Sequence, residues 1–139
     1  MKPHLFFSVL LLFFSLISCN TSKKLTIVSK IGNPMVETDS FALLSYHLED
    51  NNLNLKISYL GGCKTHQFEF VGSQAISKSL PPIRYVKLIH SSNGDSCKRK
   101  QTMNLTIDLR PVAYKQDESS EIYLEGELWK ERLLYKNLK

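Results

Sequence analysis

Five side chains between positions 63 and 97 have the types and spacing to do chemistry in this 139-residue chain: Cys63, His66, His90, Asp95 and Cys97. They fall in two short segments, Gly61-Gly62-Cys63-Lys64-Thr65-His66 and His90-Ser91-Ser92-Asn93-Gly94-Asp95-Ser96-Cys97. Two thiols and two imidazoles form a donor set suited to Zn(II) or Cu(I). The Cys-x₂-His spacing is compatible with such a Cys63, His66, His90, Cys97 site, whereas His-x₆-Cys is unremarkable. The same residues could instead supply a nucleophile, Cys63, with His66 or His90 as base and Asp95 as orienter. Activated cysteines often sit at a helix N-terminus, where the dipole lowers the thiol pKa. Cys63 follows a double glycine and enters a strand-like pattern. No Gly-x-Ser-x-Gly elbow, His-Glu-x-x-His motif or paired catalytic carboxylate is present, so no enzymatic activity is expected. In a third reading Cys63 and Cys97 bond to each other. The bond would close a loop of roughly 35 residues, with a chain-entropy gain of about 3.5–4 kcal/mol as an upper figure. His66, in phase with Phe68 and Phe70, would then be a packing residue with a ring nitrogen near backbone or Asp95.

The choice among these depends on the redox compartment, and the N-terminus bears on that. Lys2 precedes an apolar run from Leu5 to Ile17, broken only by Ser8 and Ser15. A membrane-spanning helix needs about 20 such residues, so the run suits the core of a signal peptide better. It ends in Leu16-Ile17-Ser18-Cys19, which resembles the lipobox of bacterial lipoproteins. The resemblance implies cleavage before Cys19, a diacylglyceryl thioether on its sulfur and an acylated new amino terminus, with palmitate among the acyl chains. Several chains, at roughly 0.8 kcal/mol per buried CH₂, anchor a protein almost permanently. Asn20, in the familiar two-membrane sorting scheme, does not call for retention at the inner membrane. The expected location is therefore the exported side of the cell membrane or outer membrane, on the periplasmic face. Export to an oxidising compartment favours the Cys63–Cys97 disulfide, with the metal site as the alternative.

Composition fits that division of the chain. Four of the seven Phe lie before Cys19, and the remainder of the chain is the size of one globular domain. The expected organisation is a signal peptide over 1–18, a lipidated tether over 19–24 and a single domain over 25–139. The formal net charge of +5 falls to +4 once Lys2 is removed, and the basic residues are dispersed. Lys98-Arg99-Lys100 is the only local cluster. It reads as a solvated loop, with contact to anionic lipid headgroups as the functional alternative. Export and the lack of any nucleic-acid-binding motif exclude nucleic acid as a partner. The bilayer, reached through acylated Cys19, is the expected partner, together with an envelope protein or small ligand. No cofactor is expected.

The elements that must position these residues show period-two alternation and almost no helical periodicity. Leu53, Leu55, Ile57 and Tyr59 alternate with polar neighbours, as do Met103, Leu105, Ile107 and Leu109. Phe41 to Leu48, Phe68 with Phe70, Pro81 to Ile89 and Leu25 to Val28 give further strands. Ile122 to Glu127 with Arg132 to Tyr135 reads as a terminal hairpin. Gly61-Gly62 predicts a bulge or bend and Asn93-Gly94 a tight turn. Trp129 is expected in the core or clasping the hairpin, His47 on one face of its strand, and Asp108 outward and solvated. About seven strands predict an all-β fold, a small antiparallel β-sandwich or partly open barrel.

The segments Gly61-Gly62-Cys63 with His66 and Phe68, Asn93-Gly94-Asp95 with Cys97, and Asp108-Leu109 resemble a group of small bacterial lipoproteins. That group carries a GGCxxHxF segment and an NGDxC turn. The resemblance implies a β-rich exported domain with the two cysteines close together, and it brings no activity. The function expected is that of a binding or structural module of the envelope, with a Zn/Cu-binding envelope protein as the alternative. Inhibition of basic cell-wall lytic enzymes is disfavoured, because a positive chain would repel them.

Overall fold

The computed structural model describes residues 22–138, and in it the alternating stretches become strands of two facing sheets. In chain order they are β1 (Lys23–Val28), β2 (Lys30–Gly32), β3 (Ala42–Glu49), β4 (Asn52–Gly61), β5 (Gln67–Ile76), β6 (Ile83–Ser91), β7 (Arg99–Asp108), β8 (Ser120–Glu125) and β9 (Leu133–Asn137). A 3₁₀ turn covers Arg110–Val112. One sheet has the order β1-β7-β4-β3 and the other β2-β5-β6-β8-β9. Both orders are open, so the all-β fold is a sandwich rather than a closed barrel.

The core is the set of residues that the alternation turns inward. Leu53, Leu55 and Ile57 of β4 lie beside Ile107, Leu105 and Met103 of β7 in the antiparallel register. Facing them from the second sheet are Phe70, Val86, Leu88, Ile122, Leu124 and Tyr135, all almost fully buried. Each such side chain stabilises the fold by roughly 1.5–3 kcal/mol relative to its exposed state. Trp129 joins this core and donates its indole N–H to the Leu124 carbonyl at 3.1 Å.

Several details differ from the sequence-based expectation. The described residues form nine strands, because β2 has only three residues and is too short to show alternation. Four ladders are antiparallel, but β1 with β7, β2 with β5 and β6 with β8 are parallel. Alternation fixes which face a residue takes, not which neighbour its strand pairs with. β1 opens at Lys23, inside the stretch read as tether over 19–24. An edge strand there needs only backbone pairing and the inward Leu25 and Ile27. Asp108 is not solvated: its carboxylate is mostly covered and pairs with Arg110 at 2.6 Å.

The chain passes from the four-stranded sheet to the five-stranded one between β4 and β5, and returns between β6 and β7. Gly61 pairs with Arg99, and Gln67 with Ser91. Both crossings therefore sit at the same end of the sandwich.

Candidate functional site

At that end the two crossings are bound into one junction. β4 closes at Gly61, and Gly62 takes φ of 113°, a conformation that favours glycine. The bend turns three successive N–H groups, of Gly62, Cys63 and Lys64, toward a single point. Such backbone nests are built to hold an anion. The anion here is the chain's own Asp95, whose Oδ2 accepts all three at 2.9 Å. Asp95 is delivered by the tight turn at Asn93 and Gly94, both with positive φ, and its Oδ1 accepts the Cys97 N–H at 2.9 Å. The Lys64 and Cys97 N–H groups, ahead of the other donors, hold its carboxyl far below the usual carboxylate range. Asn93 braces the turn by donating from its side chain to the Thr65 carbonyl, while Lys64 Nζ donates to the Asn93 carbonyl.

His66 lies under this nest. Its Nε2 stands 3.1 Å from Asp95 Oδ2, with both side chains almost wholly removed from solvent. Its Nδ1 is 2.8 Å from His90 Nε2, and His90 Nδ1 is 3.3 Å from the Asp39 carbonyl. Tyr59 packs on both imidazoles, and Phe68 lies parallel to His90 with ring centres 4.7 Å apart. The segment before β3 seals the outer side. Thr38 Oγ1 accepts the His90 N–H at 2.8 Å, and Asp39 Oδ2 accepts the Ser92 N–H at 2.6 Å. Hydrogen bonding from Ser92 lowers the Asp39 pKa, and burial lowers that of His90.

Above the nest, Cys63 and Cys97 form a disulfide with their Cα atoms 5.8 Å apart. The four residues weighed as a Cys₂His₂ site are therefore brought into one region but divided into two pairs. Both thiols are spent in the disulfide. Two nitrogens on one tetrahedral Zn(II), bound at about 2.0–2.1 Å each, would stand about 3.3 Å apart. His66 and His90 are at hydrogen-bonding distance instead. A metal would require reduction of the bond and separation of the rings. The nucleophile reading meets the same obstacle, since Cys63 has no free thiolate and His66 is directed at Asp95 and His90. In the oxidised protein this arrangement can lock two crossings together and hold protons between buried rings.

Among the other residues singled out by sequence, Cys19 lies outside the described residues. Lys98 is exposed, but Arg99 and Lys100 open β7, and Arg99 donates to the Gly62 carbonyl at 2.8 Å. His47 is exposed on β3 opposite Asn54. Thr38, Asp39 and Tyr59 were not anticipated. Tyr59 carries a signal in the β4 alternation, whereas Thr38 and Asp39 lie in a stretch without periodicity and reach His90 across more than fifty positions.

The sequence matches no protein-family model and no curated protein. Among solved structures, the chain is similar to a NigD-like immunity protein from Bacteroides caccae, with a TM-score of 0.57 and 18% identity. The match covers 81% of this chain and 58% of that one. A protein of unknown function from Bacteroides vulgatus gives a TM-score of 0.49 at 13% identity, over 85% of this chain and 57% of its own. A toxin-related protein from Parabacteroides distasonis gives 0.49 at 15%, over 80% and 59%. The first likeness shows a shared sandwich fold. The chain spans less than two thirds of the length of each of these neighbours.

Proposed function

We propose that this chain is an exported lipoprotein, held on the membrane through acylated Cys19, whose β-sandwich serves the cell envelope as a binding module. The observation that carries the reading is the Leu16–Cys19 motif after a correctly sized apolar run, followed within four residues by strand β1. The saturated junction supports binding over catalysis. The Asp95 carboxylate, both imidazoles and both cysteine sulfurs already have partners inside the protein. The shared fold with a protein named as an immunity protein is compatible with a narrower form of the proposal, in which the module binds a toxin.

Labelled palmitate supplied to cells expressing the full chain tests the anchor. Label is expected in the protein and in the membrane fraction, and Cys19→Ala is expected to abolish both. Labelling that persists in Cys19→Ala would overturn the proposal.

A further inference from the structure

The outer face of the four-stranded sheet is basic at the end where the N-terminal segment leaves it. Lys24 of β1 pairs with Asn104 of β7, and Asn104 with Lys56 of β4, so one polar row crosses three strands. Toward the end of the sheet where β1 and β7 begin and β4 finishes, Lys23, Lys56 and Lys100 border a shallow depression together with Ser22 and Leu44. Lys30, Lys115 and Lys136 each pair with a glutamate. Among the described residues, none of Lys23, Lys24, Lys56 and Lys100 has an ion-pair partner. Two large apolar side chains break the polar surface here: Leu44, about half exposed, and Leu60, opposite Lys100 and 58% exposed.

Lysines with unpaired ammonium groups interleaved with exposed leucines match the two layers of a bilayer interface, phosphate outside and acyl chain beneath. The position of the patch adds a second argument. Ser22, whose Oγ accepts from Asn104 Nδ2 at 2.9 Å, is fixed at its border. Cys19 is three residues upstream, a reach of about 10 Å in extended chain.

We propose that this patch, centred on Lys56 and Lys100 with Leu44 and Leu60, docks on an anionic lipid surface and lays the four-stranded sheet against the membrane. The partner is the headgroup layer itself. The inference rests on the anchoring proposed above, which sets the membrane within reach. Its test is independent of acylation.

Residues 20–139 contain the nine strands of the described residues, so this unacylated chain keeps both sheets. Its sedimentation with vesicles of phosphatidylcholine alone and with 30% phosphatidylglycerol reads the patch directly. Binding is expected to the anionic vesicles only and to fall with added salt. Lys56→Gln and Lys100→Gln should each weaken it about fivefold, the effect of one lysine near a charged bilayer. Lys78→Gln, in the connection at the opposite end, should change nothing. Equal binding to neutral vesicles, no binding to anionic ones, or equal loss from Lys78→Gln would overturn the docking surface. Preference for soluble polyglutamate over anionic vesicles would also overturn it, assigning the patch to a dissolved partner. Failure of the palmitate experiment with success here would remove the anchor and leave the surface.

Discussion

His66 and His90 stand between two groups that can only accept, the Asp95 carboxylate and the Asp39 carbonyl. Filling the contacts Asp95–His66, His66–His90 and His90–Asp39 takes three N–H groups, and two neutral imidazoles carry two. The third arrives only when one ring is protonated. Burial opposes that at His90 and outweighs the pull of the Asp39 carbonyl, so its pKa is lowered. A lowered value means the unfolded chain takes up the proton first. Stability from His90 is then complete above its ordinary pKa of about 6.5 and is lost as pH falls through the folded value. Asp95, lowered by the backbone N–H groups of Lys64, Cys97 and Cys63 and by His66, acts in the same direction in the carboxylate range. Urea unfolding should therefore show stability declining in two stages on acidification, and His90→Gln should remove the upper one. A flat profile from pH 8 to pH 5 would contradict this account. Gly61 offers a second check. A Cβ there would stand 2.5 Å from His66 Nε2 and 3.0 Å from Asp95 Oδ2, so Gly61→Ala must displace the ring. The expected cost is roughly 1–3 kcal/mol in denaturant unfolding, with altered imidazole resonances for both histidines. The phase of His66 with Phe68 could be read from sequence. Its hydrogen bond to His90 could not, because β5 and β6 had first to be paired in register.

At the scale of elements, the disulfide joins the β4–β5 and β6–β7 crossings over a sequence separation of 34. Cys63→Ser with Cys97→Ser should lower the unfolding free energy by roughly 2–4 kcal/mol, toward the lower figure. The reason for the lower figure is Asp95, whose bonds to Gly62, Cys63 and Lys64 restrain the same two segments without the sulfurs. The far-UV spectrum should stay that of a β protein. Equal stability with and without reductant would show that the bond contributes nothing. The strands that alternation identified, β4 and β7, form the centre of their sheet. β2 and the three parallel pairings were beyond its reach, since a three-residue strand has no period. Arg84 shows another limit. It shares the inward phase of Val86, Leu88 and His90, yet its guanidinium is buried only because the carbonyls of Ser73, Val112 and Ala113 converge on it. Those carbonyls belong to segments whose approach the sequence does not announce.

For the whole molecule, sequence sufficed for the fold class, because two apolar faces of alternating strands must be buried against each other. The junction was half legible: its residues were identifiable, but not the carboxylate filling the nest or the chain of rings beneath it. The place of β1 has a mechanical meaning. It is the first strand of the sandwich, and it lies in register beside β7 over six residues, Lys23 with Met103 through Val28 with Asp108. A pull on the N-terminal segment acts along the axis of β1, so it loads the ladder in shear and strains its hydrogen bonds together rather than one at a time. A tether attached there would meet its greatest resistance before the first bond parts, and the sandwich would bear tension between that tether and whatever it holds.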